Sequence, residues 1–292
     1  MAKSDTQFRY FTYYPKDVYP DVAMALYFVA TIVLIVQIVR QKAQFWLYIL
    51  PGTALAEALG YLFRELCVRE TTFTLYVLMT LFLLLPPNAM ALANYKTVGK
   101  IIGQSSAQPR WFFLKLRFVN WFYFSSDVFS IALQGAGGGM MTSYQHRETG
   151  KKIVLVGLIL QLFFFTCFLA TTFYVWTRSA YTVAMSSRDS SSVSAKRKVL
   201  FTVVVTTVLL YLRSIYRIVE FADGYGGPIY SAEWAFYVFD TLLIFIAFIF
   251  YIVVPLGPHF VRGKTTASHE EEARTLTTAA GASPYMPIEP KD

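Results

Sequence analysis

Charged side chains recur at helical spacing inside four of the most apolar stretches of this sequence. Residues that lie three, four and seven positions apart share one face of a helix, so each group forms a polar stripe. Carboxyl and guanidinium groups in such stripes can form ion pairs, transfer protons or bind the polar head group of an amphipathic molecule. The four stripes are Glu57, Tyr61 and Arg64; Asp127, Ser130 and Gln134; Arg213, Arg217 and Glu220; and Glu233, Tyr237 and Asp240.

The apolar surroundings make these charges costly. An ionisable residue at the centre of a membrane helix costs about 2.5–3.5 kcal/mol on insertion scales. At a rise of 1.5 Å per residue, Arg213 and Asp240 lie about 10 Å below the outer ends of their predicted helices, with Glu57 at a similar or slightly greater depth. Asp127 lies near the middle of its own segment. We therefore expect one polar layer that faces the interior of a helix bundle, because contact with lipid would leave the charges unsatisfied.

Two interpretations of this layer are open. In the first, the side chains are interhelical ion pairs and hydrogen bonds that only fix the packing. In the second, which we favour because intramembrane ionisable residues are usually functional, they line a polar cavity for an amphipathic ligand. The candidate substrate-binding residues are Glu57, Arg64, Asp127, Ser130, Gln134, Arg213, Arg217, Glu220, Glu233, Tyr237 and Asp240.

The segments that carry the stripes are long enough to cross a bilayer. The chain is 55% hydrophobic and 15% charged, with a mean hydropathy of +0.45, whereas soluble domains carry about a quarter charged residues. A membrane-spanning helix needs about 20 mostly apolar residues. The sequence predicts an all-α integral membrane protein, a seven-transmembrane helix bundle over residues 20–258. Its spans are predicted at about 22–39, 43–66, 71–95, 116–141, 153–177, 199–220 and 233–257.

The basic residues of the loops predict the orientation. One set of loop faces holds fourteen Lys and Arg residues and the opposite set holds eight, and the richer set faces the cytosol under the positive-inside rule. The N-terminus is therefore predicted to be extracytosolic and the C-terminus cytosolic. Residues 1–19 form an extracytosolic N-terminal segment in this prediction. Residues 259–292, rich in Thr, Ala, Ser and Glu, form a disordered cytosolic tail.

Several classes of protein are disfavoured by the residues themselves. The formal charge of +8 is accounted for by the basic cytosolic loops and their attraction to anionic lipid, so no nucleic-acid partner is expected. The three histidines, His146, His259 and His269, all fall in loops or the tail, which argues against an intramembrane zinc, haem or Ser–His site. The last span has no lysine for retinal, and no phosphate-binding loop is present. The sequence therefore predicts no cofactor and no metal.

The motifs also resemble those of a known family. Four stretches are similar in order and spacing to stretches of the fungal lipid-translocating exporter family, also described as RTA-like. They are EALGYLFR from Glu57 to Arg64, DVFSIALQGAGGG from Asp127 to Gly139, RSIYRIVEFADGYGG from Arg213 to Gly227 and EWAFYVFD from Glu233 to Asp240. The resemblance covers about residues 18–260. The stretches that carry it contain the same costly polar residues that the spacing analysis selects.

The resemblance implies a seven-helix plasma-membrane protein that moves or binds amphipathic lipids and hydrophobic toxins. Sphingoid long-chain bases, sterol-like toxins and secondary metabolites are the implied substrates, and export or resistance is the implied outcome. The implied partners are therefore membrane lipids or amphipathic small molecules. A second hypothesis is a membrane-embedded acid–base enzyme acting on a lipophilic substrate, since several carboxyl groups in one dry cavity suit such chemistry. A third is a seven-helix receptor.

The predicted orientation can be tested by labelling. A cysteine placed in the loop 221–232 should react with membrane-impermeant reagents from outside intact cells, because that loop has no basic residue and is predicted to be extracytosolic. A cysteine placed in the loop 189–195 should react only after permeabilisation. The reverse labelling pattern would overturn the predicted orientation.

Overall fold

Seven long helices make up most of the part of the chain that the structure describes. The computed structural model describes residues 18–70, 72–104, 116–141, 144–178, 190–223, 227, 229 and 232–259, and these residues contain no strand. The predicted N-terminal segment before residue 18 and the predicted tail after residue 259 lie outside the described residues. The helices are α1 (Val18–Arg40), α2 (Ile49–Arg69), α3 (Phe73–Gln104), α4 (Leu116–Met141), α5 (Arg147–Thr177), α6 (Ser190–Asp223) and α7 (Glu233–Val253). A 3₁₀ turn at Phe45–Tyr48 leads into α2.

Six of these helices are both long and apolar enough to cross a membrane, namely α1, α2, α3, α5, α6 and α7. The remaining helix, α4, has 26 residues and would extend about 39 Å at 1.5 Å per residue, more than the thickness of a hydrocarbon core. Its length suits a span, but polar side chains such as Asp127 and Gln134 make it less apolar than the others. The predicted all-helical membrane fold is confirmed.

The outer surface of the bundle is apolar. On α1, Phe28, Val29 and Ile32 are exposed, whereas Tyr27 and Leu34 on the opposite face are buried. Apolar side chains on the exposed face of a long helix are unfavourable in water and favourable in contact with lipid tails, so this face lies against lipid. The chain is thus a multi-pass integral membrane protein.

The helices pack mostly in chain order. Helix α1 packs against α2 and α2 against α3, while α4 packs against α5 and α5 against α6. Helix α7 lies against α6 and α1, which brings the two ends of the bundle together. Helix α3 also contacts α5 and α6, whereas the main partners of α4 are α3 and α5. The position of α4 decides which polar side chains it can reach.

Prolines in α2 and α3 have different positions relative to their helices. Helix α2 begins at Ile49. Pro51 therefore lies in the first turn, where a backbone N–H has no helical partner and its loss costs little. Pro86 and Pro87 lie in the interior of α3. Because Pro87 has no N–H, it leaves the carbonyl oxygen of Leu83 without its helical hydrogen bond.

Glycines bring the backbones of α4 and α5 into close contact. A Cβ atom at Gly137 would lie 2.6 Å from the carbonyl oxygen of Gly150 and 2.8 Å from the backbone nitrogen of Val154. A Cβ at Gly157 would lie 2.9 Å from the carbonyl oxygen of Ser130. Small residues at such crossings let membrane helices approach closely. Van der Waals contact then stabilises the association of the helices, because the hydrophobic effect does not drive it within lipid.

This crossing predicts opposite effects for two neighbouring glycines. Gly137→Ala should destabilise the protein, because the new methyl group would collide with the backbone of α5. Gly138→Ala should stabilise it by up to about 1 kcal/mol, because a Cβ there meets nothing within 4 Å and alanine favours the helix. Thermal unfolding of the purified variants in detergent measures both changes. If Gly137→Ala were as stable as Gly138→Ala, the close crossing of α4 and α5 would be contradicted.

Candidate functional site

Buried polar side chains form two networks inside the bundle. The first, called the arginine network, joins α2, α6 and α7 with one residue of α1. Its members are Tyr27, Glu57, Tyr61, Arg64, Arg213, Arg217, Glu220, Glu233, Tyr237, Asp240 and Thr241. The second, called the α4 network, joins α3, α4 and α5. Its members are Asn88, Tyr95, Asp127, Ser130, Gln134 and Gln161.

An ion pair between Arg213 and Asp240 lies at the centre of the arginine network. The Nε atom of Arg213 lies 2.8 Å from Oδ1 of Asp240, and the two side chains are 3% and 1% exposed. These atoms are close enough for an ion pair, but they are not aligned as a hydrogen bond, and neither oxygen of Asp240 accepts a hydrogen bond from the described part of the chain. Asp240 belongs to the π-helical turn Tyr237–Leu242, a local irregularity that often accompanies functional positions.

Arg213 also donates a hydrogen bond to a carbonyl oxygen of α3 that has lost its helical donor to proline. Its Nη2 atom donates a hydrogen bond of 3.1 Å to the carbonyl oxygen of Leu83, which is the acceptor left without a donor by Pro87. One guanidinium group therefore connects α6 to a carboxyl group on α7 and to a backbone oxygen on α3. The planar guanidinium suits this role because its five N–H groups point in fixed directions.

Two further ion pairs lie beside this centre. Nη1 of Arg217 donates to Oε2 of Glu220 at 2.8 Å along α6. Nη2 of Arg64 lies 3.7 Å from Oε1 of Glu233, and its Nε donates to the hydroxyl of Tyr237 at 3.1 Å. Each of these two arginines has an acid on its own helix or on α7. Removing either partner would leave the other charge buried without compensation.

Tyrosine hydroxyls tie α1 and α2 to the irregular turn of α7. The hydroxyl of Tyr27 donates to the carbonyl oxygen of Thr241 at 2.7 Å. The hydroxyl of Tyr61 lies 2.6 Å from Oγ1 of the same residue. The two rings are stacked with their centroids 5.6 Å apart. These contacts hold α7 in place at the turn that carries Asp240.

Glu57 differs from the other acids of the arginine network. Its side chain is fully buried, at 0% exposure, and neither carboxyl oxygen has a hydrogen-bond partner among the described residues. Its carboxyl group interacts electrostatically with Asp240, Arg213 and Arg217, although both arginines already pair with other acids. Glu57 is thus close to the charges of the network without belonging to one of its pairs.

The α4 network consists of a carboxyl group, a hydroxyl and a chain of amides. The hydroxyl of Tyr95 donates to Oδ2 of Asp127 at 2.8 Å. Gln134 donates to Gln161 at 2.9 Å, and Gln161 donates to Asn88 at 2.6 Å. Oδ1 of Asp127 and Oγ of Ser130 are buried without a hydrogen-bond partner among the residues that the structure describes. One acceptor and one hydroxyl on the same face of α4 are therefore unsatisfied.

The sequence predicted one layer, whereas the structure separates Asp127, Ser130 and Gln134 from the other candidates. The separation follows from packing, because the main neighbours of α4 are α3 and α5. Uncharged residues on those two helices supply the hydrogen bonds instead. Among the described residues, no hydrogen bond or ion pair joins the two networks. All eleven candidate residues are placed, eight of them in the arginine network and three in the α4 network.

Some uncharged members of both networks were not predicted from the sequence. Asn88, Tyr95 and Gln161 were overlooked because the search followed charged residues and their helical spacing. A third group, in which Tyr251 donates to Asn94 at 2.5 Å and Asn94 donates to Thr206 at 3.1 Å, was missed for the same reason. The asparagine and glutamine residues inside apolar spans would have indicated these networks, because a buried amide group needs hydrogen-bond partners just as a buried charge needs an opposite charge.

The unsatisfied oxygens of both networks are closed to water in this conformation. The carboxyl oxygens of Glu57 and Asp240, Oδ1 of Asp127 and Oγ of Ser130 each expose less than 1 Å², so no water-sized space lies next to them. Helices must therefore separate before a ligand reaches these atoms. Among the described residues, no group of three or more His, Cys, Asp or Glu side chains is arranged to hold a metal ion.

The chain is similar in sequence to a set of fungal proteins. A family model described as "RTA1 like protein" matches residues 51–262. Protoporphyrin uptake protein 1 from Saccharomyces cerevisiae is 34% identical over 199 residues, which cover 66% of this chain and 63% of that protein. Lipid-translocating exporter-like protein RTA1 from Leptosphaeria maculans is 25% identical over 248 residues, 75% of this chain and 46% of that protein.

A further relative carries a transporter name. Sphingoid long-chain base transporter RSB1 from Saccharomyces cerevisiae is 25% identical over 178 residues, 50% of this chain and 46% of that protein. The matched regions thus span about half to two thirds of the length of these relatives. No solved structure matches the chain.

The central ion pair predicts how its loss can be rescued. Arg213→Met should cost about 3–5 kcal/mol, because it leaves the Asp240 carboxyl group buried without a cation. The double change Arg213→Met with Asp240→Leu should recover part of the loss, since the uncompensated charge is removed. Fluorescence-detected size-exclusion chromatography measures the amount of folded protein for each variant.

A pair with one exposed partner provides the control for this experiment. Arg69 pairs with Glu65 at 2.8 Å, and the side chain of Arg69 is 70% exposed whereas that of Glu65 is 8% exposed. Because water reaches the arginine end of this pair, Arg69→Ala should cost less than Arg213→Met. Equal losses for Arg69→Ala and Arg213→Met, or a double variant no better folded than the single one, would contradict the central role of the pair.

Proposed function

The chain belongs to the RTA1-like family, and on that premise we propose that it translocates amphipathic lipids or hydrophobic toxins across the membrane it spans. The similar proteins named for lipid translocation and for sphingoid long-chain base transport support this proposal. Another relative is named for protoporphyrin uptake, so the substrate is stated as a class. We place the chain in the plasma membrane with an extracytosolic N-terminus, where its activity would give export or resistance.

The observation that carries the proposal is the pair of unsatisfied oxygens in the α4 network. Oδ1 of Asp127 and Oγ of Ser130 are buried and lack hydrogen-bond partners among the described residues. They lie three residues apart, on one face of α4. Leaving buried polar atoms unpaired costs about 1–3 kcal/mol each. A ligand that offers an ammonium or hydroxyl group to these oxygens would recover that free energy on binding.

The chemistry of this face fits an amphipathic ligand. Asp127 has no cation partner in the α4 network, so its carboxyl group is available to a positively charged or hydrogen-bond-donating head group. The residues around it are aromatic: the ring of Tyr95 packs against Tyr123 and Phe168, with centroids 5.4 and 4.6 Å away. A polar contact enclosed by aromatic side chains is the usual composition of a site for a small, largely apolar molecule.

Translocation requires the closed networks to open. The unsatisfied oxygens expose less than 1 Å², so a head group reaches them only when α4 moves relative to α3 and α5. Closely packed glycines at the α4–α5 crossing allow such helices to slide without moving large side chains. In this proposal, opening to one side of the membrane and then to the other carries the head group across, while the apolar tail stays in contact with lipid.

Reconstitution tests the proposed activity. The purified full chain is placed in liposomes that contain a fluorescent long-chain base, and a membrane-impermeant quencher reports the fraction of label in the outer leaflet over time. We expect faster exchange between leaflets than in protein-free liposomes. Exchange at the protein-free rate for long-chain bases, sterol amines and porphyrins alike would overturn the proposed function. Conversion of the label into a new compound would instead favour an enzyme.

Asp127→Asn separates ligand binding from folding. Asparagine preserves the shape of the side chain and its hydrogen bond with Tyr95, so the variant should fold and reach the membrane at normal levels. It should bind a cationic amphiphile roughly tenfold or more weakly, because a charge-assisted contact contributes about 1.5–3 kcal/mol. Binding and exchange rates in the liposome assay measure the effect.

Ser126→Ala is the matched control. It removes a buried hydroxyl from the same helix, one that donates to the carbonyl oxygen of Tyr123 at 2.7 Å, but it leaves the α4 network intact. This variant should retain normal exchange. Normal folding together with normal exchange in Asp127→Asn would exclude Asp127 from the site, and loss of folding would assign it to the scaffold.

A further inference from the structure

Glu57 is the acid that the arginine network leaves without a partner. Three guanidinium groups, from Arg64, Arg213 and Arg217, face four carboxyl groups in this network. Three of the four are paired, namely Asp240, Glu220 and Glu233. The fourth, Glu57, is 0% exposed, and neither of its oxygens has a hydrogen-bond partner among the described residues. If all seven groups were charged, the network would carry one uncompensated negative charge.

An uncompensated carboxylate is not stable in such a place. Moving an ionised carboxyl group out of water costs several kcal/mol even after the protein relaxes. Hydrogen bonds from protein N–H or O–H groups normally offset this cost, but Glu57 accepts none from the residues that the structure describes. A single bound proton makes Glu57 neutral and balances the network at three positive and three negative charges.

A metal cation is a poorer solution than a proton. Sodium or calcium would need several oxygen ligands at more than 2 Å, as is usual for hard cations. Each carboxyl oxygen of Glu57 exposes less than 1 Å², so no space for an ion lies beside it. A proton occupies no additional volume, which fits the close packing around this side chain.

We propose that Glu57 is a proton-binding site whose carboxyl group is neutral in the closed conformation and releases its proton to water when the arginine network opens. Release forms a carboxylate beside Arg213 and Arg217, where it competes with Asp240 and Glu220 for the guanidinium groups. Rebinding a proton from the aqueous phase restores the closed arrangement. Proton binding by Glu57 does not depend on the proposed transport function. Its consequence, that substrate movement is coupled to proton movement, does rest on that function.

The groups that face Glu57 set the direction of the pH dependence. They are Tyr27 of α1, Tyr61 of α2 itself, Arg213 and Arg217 of α6 and Asp240 of α7. From α3, the apolar side chain of Leu83 packs against Gly60, one turn away on α2. Because the closed form binds one proton more than the open form, raising the pH favours opening, and lowering it favours closure.

Infrared spectroscopy tests proton binding without any transport assay. A protonated carboxyl group has a carbonyl stretching band that a carboxylate lacks. The wild-type full chain in lipid should show this band at neutral pH, and Glu57→Gln should lose the intensity of one carboxyl group. Glu65→Gln, which changes the acid that pairs with Arg69 on the same helix, should retain it. A wild-type spectrum without the band, or a Glu57→Gln spectrum with undiminished intensity, would overturn the proposal.

Folding of the same variant is a second test. The neutral amide of glutamine resembles a neutral carboxyl group in size and charge, so Glu57→Gln should fold as well as the wild type. Glu57→Gln should also unfold at a temperature that depends less on pH than that of the wild type. Failure of Glu57→Gln to fold would contradict a neutral Glu57 in the closed conformation.

A transport experiment tests the coupling itself. The probe is a fluorescent long-chain quaternary ammonium amphiphile, whose charge does not change with pH, in liposomes clamped at zero membrane potential. A pH difference of one unit should sustain up to about a tenfold leaflet asymmetry of probe in wild-type liposomes, since one proton moved through one unit supplies about 1.36 kcal/mol. Glu57→Gln liposomes should show no asymmetry, and Glu65→Gln liposomes should behave as the wild type.

The possible outcomes separate this proposal from the proposed function. If the wild-type chain exchanges the long-chain base and the quaternary probe but shows no asymmetry under a pH difference, translocation stands and the proton coupling is wrong. If it exchanges neither molecule, the proposed function is wrong, and the infrared result alone decides whether Glu57 binds a proton. Asymmetry driven by a sodium gradient instead would overturn the assignment of Glu57 to protons.

Discussion

A charge buried in a membrane bundle must be neutralised inside the protein, and Arg213 is where this chain meets that requirement. Its guanidinium group pairs with Asp240 on α7 at 2.8 Å and donates to the carbonyl oxygen of Leu83 on α3. That oxygen needs a donor because Pro87 cannot supply one. Three helices therefore depend on a single side chain. The irregular turn of α7, held by Tyr27 and Tyr61, keeps Asp240 in reach of it.

Apolar segment length and the helical spacing of charges predicted the bundle and the helices that carry the polar residues. The reason is that a membrane span must be long and apolar and must satisfy its polar groups inside the protein, and a single sequence shows both requirements. The spacing also predicted that arginines and acids on α2, α6 and α7 would meet. Pairing could not be predicted, because Arg213 is near several acids and only the packing of α6 against α7 selects Asp240.

The neighbours of the polar residues on α4 could not be predicted from the sequence. Asp127 has the same character as the other acids, and depth along the helix suggested that it would join them. Its neighbours are instead fixed by the order of helices around the bundle, which places α3 and α5 beside α4. Neutral side chains such as Tyr95 and Gln161 then complete its surroundings. Helix order depends on the whole set of interhelical contacts, and no local pattern in the chain records it.

The two networks together describe a closed protein whose own side chains do not satisfy its whole polar interior. The arginine network balances its charges with one proton on Glu57 in our proposal, while the α4 network retains two oxygens that await a donor. The central claim is that these interiors open when an amphipathic ligand binds. Opening of the α4 network to a ligand would move α4 away from α3, and Phe129 and Leu85 on these two helices are exposed on the outer surface of the bundle.

Spin labels at positions 85 and 129 test that claim most directly, in a variant whose Cys67 and Cys167 are replaced by alanine. Pulsed electron paramagnetic resonance measures the distance between the labels in lipid nanodiscs, with and without a saturating long-chain base. Our account predicts one distance without ligand and a second, longer distance that grows with ligand concentration. A single distance that stays unchanged while the base is bound would contradict it.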